Sequence, residues 1–228
     1  MKLSIIVPVY NEEKTIIPVL DKLRTVNLPD GFSREIIVIN DGSSDQTLPL
    51  LKAYSGQITL LDHSVNQGKG LSVIDGLKKS SGDMVVIQDA DLEYDPEDLS
   101  KLLEPILAKK ADVVFGSHFI LKDQRLVTPF WHKLFNQSLT FLSNLFTNLT
   151  LTDMETCYKV FTREVVDDIK GKLRSPRFGI EPEITSKIKR YRIYEVPIKY
   201  RGRNVSSGKK ITWRDGVAAL WHIIRFNI

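Results

Sequence analysis

Five short apolar runs, separated by amphipathic stretches, constrain the fold of this chain of 228 residues more than any other feature. The runs cover residues 3–9, 35–40, 57–63, 84–88 and 111–117. Strands that are apolar on both faces and alternate with helices are typical of a parallel sheet with helices on both sides. The sequence therefore predicts an α/β fold with a mostly parallel central sheet.

Each of these runs ends in polar or small residues or is followed directly by them. In open α/β sheets, ligands bind beyond the carboxyl ends of the strands, where such side chains would meet. The alternative is that the strands simply end in turns. The residues concerned are Tyr10, Asn11, Asp41, Gly42, Asp62, His63, Asp89, Ala90, Asp91, Gly116 and Ser117.

One of these strand ends carries two aspartates, Asp89 and Asp91, one residue apart. In an extended segment such residues direct their side chains to the same side. Two close carboxylates repel each other, so one would be protonated unless a cation compensates. Mg²⁺ or Mn²⁺, held by these carboxylates and by phosphate oxygens of a substrate, would compensate. The pair therefore indicates half of a metal site, although two solvated turn aspartates would give the same tripeptide.

A lysine between two glycines, Gly68-Lys69-Gly70, stands at the predicted start of the third helix. Glycine allows close backbone approach, and a helix N-terminus and a lysine both favour phosphate. Asp41, at the end of the second run, is a candidate acceptor for a nucleobase or a ribose. The P-loop and the dinucleotide fingerprint would each require a different glycine spacing.

From Thr128 onward the pattern changes to amphipathic helices, at about 130–148 and 212–226. Aromatic and basic residues of this kind are typical of helices that lie in a membrane interface, although both apolar stripes could instead pack on the sheet as ordinary core. A short strand at 157–161 and a helix near 181–190 are predicted between them. The aromatic and basic residues are Phe130, Trp131, Phe135, Phe141, Phe146, Trp213, Arg214, Trp221 and Arg225.

Composition limits the compartment and the partners. A net charge of +4 is too weak to argue for nucleic acid. The one cysteine, Cys157, permits no internal disulfide and favours a cytoplasmic location, where we expect it to be a buried small side chain. No apolar stretch of about 18 residues, the length that spans a bilayer, occurs. His63, His132 and His222 show no metal-ligand spacing.

Four segments in order, "SIIVPVYNEEKTI", "VINDGSSDQT", "NQGKG" and "DADL", resemble the family 2 glycosyltransferases. These are inverting enzymes with the fold called GT-A. The later "FGIEPEITSKI" and "YEVPIKYRGR" narrow the resemblance to the branch of dolichol-phosphate mannosyltransferase and bacterial polyprenyl-phosphate glycosyltransferases. The resemblance covers essentially the whole chain. It implies a single domain, 1–228, with a nucleotide-sugar half (1–117) and an acceptor half (118–228).

The resemblance also implies roles for individual residues. Asp89 and Asp91 match the metal and sugar-diphosphate motif, and Asp153 matches a segment that lines the acceptor side. The residues implied in nucleotide-sugar binding are Pro8, Tyr10, Glu12, Asp41, Gly68, Lys69, Asp89 and Asp91. The residues implied in binding the acceptor phosphate are His118, Arg201, Arg203 and Lys209.

The expected reaction moves a hexose of the mannose or glucose class from a GDP- or UDP-sugar to a polyprenyl or dolichyl phosphate. A peripheral position on the cytoplasmic membrane face, a divalent metal and a possible membrane-embedded partner subunit are expected with it. A phosphate acceptor is already anionic, so Asp91 or Glu93 would act as a base only for a hydroxyl acceptor. A saccharide or protein hydroxyl as acceptor, and a catalytically silent sugar-nucleotide-binding protein, are the alternatives.

Three positions depart from the family pattern. Glu93 stands where many relatives have glutamine, His118 where many have arginine, and Cys157 where many have glycine. Histidine can bond phosphate but is not permanently charged. These departures leave the chemistry in place and bear on the choice of acceptor and sugar.

Overall fold

A computed structural model describes residues 1–120, 130–202 and 213–228. In that part of the chain, seven strands form a single sheet in the order β3-β2-β1-β4-β6-β5-β7. The strands are β1 Lys2–Val9, β2 Ser33–Asp41, β3 Thr59–His63, β4 Met84–Ile87, β5 Val113–Ser117, β6 Lys159–Thr162 and β7 Ile193–Pro197.

Helices connect these strands. The first group is α1 Ile16–Thr25, α2 Thr47–Ala53, α3 Lys69–Lys79 and α4 Leu99–Leu107, the last preceded by a 3₁₀ turn at Pro96–Asp98. The second group is α5 Phe130–Thr147, α6 Arg163–Ile169, α7 Ile180–Ile188 and α8 Trp213–Asn227. The predicted α/β fold with a mostly parallel sheet is confirmed.

Strand direction differs between the two parts of the sheet. Strands β1 to β4 pair in parallel, whereas β6 runs antiparallel to both β4 and β5. Strand β7 returns to a parallel pairing with β5. The central strands β1 and β4 are buried almost throughout, because helices cover both faces of the sheet.

Close helix-to-sheet packing is visible at Gly76 of α3. A Cβ atom at this position would lie 2.4 Å from Cγ2 of Ile6 in β1, far inside van der Waals contact. Only glycine lets the helix approach the sheet this closely. The contact fixes α3, and with it the residues that precede the helix, against the centre of the sheet.

Helix α1 begins at Ile16, four residues after Glu12. The backbone N–H groups of the preceding residues donate instead to side chains near α2: that of Asn11 to Ser43 and that of Glu12 to Thr47. Helix α6 is not predicted from the sequence at all, because its seven residues carry little periodic signal.

Helices α5 and α8 bury one side and expose the other. Leu139 and Ile223 are buried, but Trp131 is 76% exposed and Trp221 is 60% exposed. Ordinary core packing therefore accounts for only the inner side of each apolar stripe. Of the helices described, none is both long and apolar enough to span a membrane.

Candidate active site

The predicted donor-site residues lie beyond the carboxyl ends of β1, β2 and β4. These strands are parallel neighbours, so Tyr10 after β1, Asp41 at the end of β2 and Asp89 after β4 lie at one edge of the sheet. Pro8 is buried within β1, and Glu12 is buried beside the start of α2, where its carboxylate accepts a hydrogen bond from the Thr15 hydroxyl at 2.7 Å. This edge is where an α/β sheet of this topology binds its ligand.

Asp41 positions the segment that leads into α3. Its two carboxylate oxygens accept hydrogen bonds from the backbone N–H groups of Gln67 and Gly68, both at 2.8 Å. The Nδ1 atom of His63 lies 3.1 Å from one of these oxygens. The side chain of Asp41 is almost fully buried. Its contact with a nucleobase or ribose stays a prediction.

The glycines around Lys69 meet a neighbouring backbone segment. A Cβ atom at Gly70 would lie 2.0 Å from the carbonyl oxygen of Ser175, and one at Gly68 would lie 2.4 Å from that of Pro176. Gly68 also has a φ of +98°, which side chains rarely adopt. The close approach predicted at this motif therefore occurs, and residues 175–177 make it.

Lys69 forms an ion pair with the predicted metal motif. Its Nζ atom lies 2.9 Å from Oδ1 and 3.1 Å from Oδ2 of Asp89, and 3.5 Å from Oε1 of Glu181. Burial alone would lower the pKa of Lys69, but the negative charges of Asp89 and Glu181 outweigh it and raise this pKa well above its usual value. Lys69 is therefore a permanent cation at the start of a helix, a position that favours an anionic ligand.

The chain turns sharply after Asp89. Oδ1 of Asp91 accepts a hydrogen bond from the backbone N–H of Glu93 at 3.1 Å, and Leu92 between them has a φ of +62°. Glu93 then reaches across the site, because its Oε2 atom accepts a hydrogen bond from the Tyr200 hydroxyl at 2.7 Å. This hydrogen bond ties the segment that follows Asp91 to the part of the chain around Tyr200.

The chemistry of these side chains fits a divalent cation that is shared with a substrate. In the described residues, no group of three or more His, Cys, Asp or Glu side chains could hold a metal ion. Mg²⁺ in enzymes of phosphate substrates commonly uses only one or two protein carboxylates, with the remaining ligands from phosphate and water. Asp89 and Asp91 would supply those carboxylates, and Asp89 would then be shared with Lys69.

The predicted acceptor residues lie around His118, which follows β5. The backbone N–H of His118 donates to Asp153 at 3.2 Å, and its Nδ1 atom contacts the same carboxylate. The ring stacks on that of Tyr200, with centroids 4.6 Å apart. Arg201 is exposed and its backbone N–H donates to the Glu93 carbonyl. Arg203 and Lys209 lie outside the described residues.

Three further charged residues, not assigned a role from the sequence, lie behind the site. Lys159 is fully buried in β6, and its Nζ atom contacts the Glu181 carboxylate and the carbonyl oxygens of Met154 and Thr156. Glu155 is the residue between Met154 and Thr156 in the sequence. A lysine inside the apolar strand "CYKVF" and an acid inside the apolar helix "FGIEPEITSKI" were signals available in the sequence, because unpaired charges are rarely buried.

Cys157 lies in the same region. It is buried, as predicted, and its backbone N–H donates to the Tyr94 hydroxyl at 3.1 Å. Burial, followed by the nearby Asp89 carboxylate, raises the pKa of the Cys157 thiol well above its usual value. The thiol is therefore protonated and unreactive, and it serves as a small packing group beneath Asp89.

A family model described as glycosyl transferase family 2 matches residues 4–170. The chain belongs to this family. The glycosyltransferase is 29% identical to the UDP-N-acetylglucosamine–dolichyl-phosphate N-acetylglucosaminyltransferase of Methanococcus voltae, with 92% of this chain and 93% of the relative covered. It is also 29% identical to the dolichol-phosphate mannosyltransferase of Pyrococcus furiosus, with 92% of this chain and 61% of the relative covered.

Solved structures share the fold of this glycosyltransferase. The glucosyl-3-phosphoglycerate synthase of Mycobacterium tuberculosis, crystallised with Mn²⁺, UDP and glucosyl-3-phosphoglycerate, superposes with a TM-score of 0.76. It is 20% identical, and 99% of this chain and 80% of that chain are covered. At this identity the likeness establishes the GT-A fold alone.

The geometry of the glycosyltransferase site separates two kinds of charge. Lys69 and Asp89 are partly accessible, with 18% and 21% of their side chains exposed. Lys159 and Glu181 lie beneath them and are almost completely buried. The accessible pair can exchange contacts with a ligand, whereas the buried pair holds the floor of the site in place.

Proposed function

We propose that this glycosyltransferase moves a hexose, of the mannose or glucose class, from a GDP- or UDP-sugar to a polyprenyl or dolichyl phosphate. The transfer inverts the anomeric carbon and takes place at the cytoplasmic face of a membrane. The names of two relatives, which specify dolichyl phosphate, support the acceptor class. The pairing of Lys69 with Asp89 at the sheet edge is the observation that carries the proposal.

Lys69 supplies the positive charge that a departing diphosphate requires. It stands at the first residue of α3, where the helix dipole adds to its own charge. Asp89 holds the ammonium group in place at 2.9 Å, so the cation is oriented before the substrate arrives. A preorganised charge of this kind stabilises the negative charge that develops on the leaving group.

A divalent cation is part of the proposal. Asp89 and Asp91 would hold Mg²⁺ or Mn²⁺, which when bound neutralises charge on the diphosphate. The positive charge of Lys69 belongs to the protein itself and would act beside the divalent cation.

The reaction is a single displacement. An oxygen of the acceptor phosphate forms a bond to the anomeric carbon, while the bond from that carbon to the diphosphate oxygen breaks and its electron pair leaves with the nucleotide diphosphate. The acceptor is already an anion near neutral pH, so no protein group has to remove a proton. We propose His118, Arg201, Arg203 and Lys209 as the residues that bind the acceptor phosphate.

The exposed sides of α5 and α8 support a membrane location. Phe130, Trp131 and Phe141 of α5 are between 69% and 76% exposed, and Trp221 of α8 is 60% exposed. Large aromatic side chains that are exposed to this extent are candidates for an interaction surface. Aromatic residues beside basic ones are suited to the headgroup layer, where a lipid phosphate would be presented. A membrane-embedded partner subunit on this surface stays a prediction.

One observation favours the alternative of a hydroxyl acceptor. The contact between His118 and the buried carboxylate of Asp153 is the arrangement by which a histidine is oriented as a general base. Such a base would be needed for a saccharide or protein hydroxyl and would be superfluous for a phosphate. The same histidine could equally bond a phosphate oxygen, so the acceptor has to be tested directly.

The deciding experiment measures release of nucleotide diphosphate from GDP- and UDP-sugars with Mg²⁺ or Mn²⁺. We expect release to rise when a polyprenyl phosphate is added and not when the corresponding polyprenol is added. Release that rises instead with a saccharide would favour the hydroxyl-acceptor alternative. An absence of turnover with every donor and metal would favour the silent binding protein.

The Glu93→Gln variant separates the two acceptor classes further. Glutamine can still accept the hydrogen bond from Tyr200, so the fold around it should persist. For a phosphate acceptor we expect kcat to change by less than about 3-fold, whereas a hydroxyl acceptor that relies on Glu93 as its general base would lose about 100-fold or more. A large loss with the phosphate acceptor would contradict the proposed chemistry.

Vesicle flotation tests the membrane surface. The double variant Trp131→Ser, Phe135→Ser should bind weakly to vesicles that contain anionic lipid, with little change in thermal stability, because both side chains are half exposed or more. Tyr194→Ser is the matched control, since Tyr194 is also exposed but lies on β7. Equal binding by all three proteins would remove the membrane from the proposal.

A further inference from the structure

Glu155 has an unusual environment for a carboxyl group. The residue keeps some exposed surface, but its Oε1 atom is fully buried and has no hydrogen-bond partner in the described part of the chain. A buried oxygen that lacks a partner is costly, and most such atoms in folded proteins are satisfied. A ligand that donates a hydrogen bond to it would remove this cost.

The backbone on both sides of Glu155 is held in place. Lys159 contacts the carbonyl oxygens of Met154 and Thr156, and Glu181 pairs with Lys159 in turn. Glu155 is the one residue between the two bound carbonyl groups. The backbone position of Glu155 therefore depends on the buried charges of Lys159 and Glu181.

Glu155 belongs to the short segment that also carries Asp153, which contacts His118 on the proposed acceptor side. The charged groups that act on the carboxyl group of Glu155 are Glu181 of α7, Lys159 of β6, Asp153 of its own loop and Lys69 of α3. Lys69 belongs to the proposed diphosphate site. The sugar in a displacement reaction must lie between its leaving group and its acceptor.

Burial, followed by the negative charge of Glu181, raises the pKa of Glu155 to about 8. Near neutral pH the carboxyl group is then mostly protonated. A protonated carboxyl can both donate and accept a hydrogen bond, as can the hydroxyl groups of a sugar. A diphosphate, in contrast, offers only acceptors.

We infer that Glu155 binds a hydroxyl group of the sugar that is transferred, and thereby helps to select the donor sugar. This inference rests on the proposed function, because it assumes a nucleotide-sugar donor. It assigns recognition of the sugar to Glu155, which is not among the residues proposed to bind the nucleotide.

The test compares the affinity for nucleotide sugars with that for bare nucleotides. UDP, GDP, UDP-glucose, GDP-mannose and UDP-N-acetylglucosamine are titrated by calorimetry against the wild-type protein, Glu155→Ala and Glu155→Gln, with Mn²⁺ present. We expect Glu155→Ala to bind the matching nucleotide sugar about 10-fold more weakly, as for a lost hydrogen bond, and the bare nucleotide within about 2-fold. Glu155→Gln can still donate and accept a hydrogen bond, so its affinity for the nucleotide sugar should lie between those of the wild type and Glu155→Ala.

Glu164→Gln is the matched control, because Glu164 is exposed on α6 away from the site. The ratio of kcat/KM between donor sugars is a second measurement and should change in Glu155→Ala but not in the control. An equal loss of affinity for sugar and bare nucleotide, or no loss for either, would overturn the inference and leave the proposed function intact.

Failure of the wild-type protein to bind any of the nucleotide sugars would instead overturn the proposed function, and this inference with it. Failure of both Glu155 variants to fold, judged by circular dichroism, would make the residue structural and would also overturn the inference. The isosteric glutamine keeps these outcomes distinct, since it changes the protonation chemistry without leaving a cavity.

Discussion

Residues 1–117 and residues 118–228 contribute to the site in different ways. In the first part, the proposed functional side chains stand at or just beyond the ends of the parallel strands that position them, since Asp41 is the last residue of β2 and Asp89 comes shortly after β4. In the second part, β6 enters the sheet antiparallel between β4 and β5, and its buried charge is matched by a residue on α7. The proposed donor side is thus determined by local order along the chain, whereas the proposed acceptor side depends on contacts between separate elements.

The two lysine–carboxylate pairs express this difference. The pair of Lys69 and Asp89 is partly exposed and can respond to a ligand. The pair of Lys159 and Glu181 is buried, and each charge would be costly without the other. We therefore expect mutations in the first pair to affect activity and mutations in the second to affect stability.

The largest expected effect follows from removal of the buried cation. Lys159→Met would remove the close partner of buried Glu181 and leave the longer contact with Lys69 at 3.5 Å, so it should lower the free energy of unfolding by about 3–5 kcal/mol. Chemical denaturation measures this loss, with the half-exposed Lys172→Met as a control. The double variant Lys159→Met, Glu181→Gln should recover part of the stability. A Lys159→Met protein as stable as the wild type would remove the distinction between the two pairs.

The exposed pair is tested by Asp89→Asn. We expect kcat/KM for sugar transfer to fall about 100- to 1000-fold, because the charge that orients Lys69 and would hold a cation is lost. The unfolding transition should stay nearly unchanged. Asp30→Asn, an exposed loop position, serves as the control. A stability loss as large as that of Lys159→Met would contradict the proposed separation.

The pH dependence of stability tests the environment of Glu155. Its pKa, raised to about 8 in the folded protein from a usual value of 4.5, means that the folded state binds the proton more tightly. Its contribution to stability is therefore fully present below about pH 4.5 and is lost as the pH rises through 8.

Glu155→Gln lacks this titration. Relative to the wild type, the variant should gain about 2–3 kcal/mol of stability between roughly pH 6 and pH 9. Urea denaturation at several pH values measures the difference. A difference in unfolding free energy between the two proteins that stays constant across that pH range would mean that Glu155 is not held in a buried site.

The smallest expected effect concerns the packing of residues 175–177 against the start of α3. Gly70→Ala would place a Cβ atom 2.0 Å from the Ser175 carbonyl oxygen, so that the backbone must shift. We expect a loss of about 2 kcal/mol, typical of overpacking. Gly171→Ala is the control, since no atom lies within 4 Å of its added Cβ. Equal stability of the two variants would indicate that the contact is easily relieved.

Much of the donor side could be predicted from the sequence. The alternation of apolar runs and helices determines parallel strands, and parallel neighbours bring their carboxyl ends to one edge. That rule places Asp41, Lys69 and Asp89 together without any knowledge of packing. The buried position of Cys157 was likewise predictable, from its residue type and the lack of a partner.

Only the tertiary structure decided the rest. Sequence patterns do not reveal that Lys159 pairs with Glu181, that Gly70 meets Ser175, or that Asp41 holds the backbone of Gln67 and Gly68, because these contacts join residues from different elements. An apolar stripe on a helix also does not indicate whether a neighbouring element covers it. The tertiary structure shows that one side of α5 is packed and that the other side is exposed. Periodicity along the chain determines which residues share a face, whereas their partners are set by how the faces meet in three dimensions.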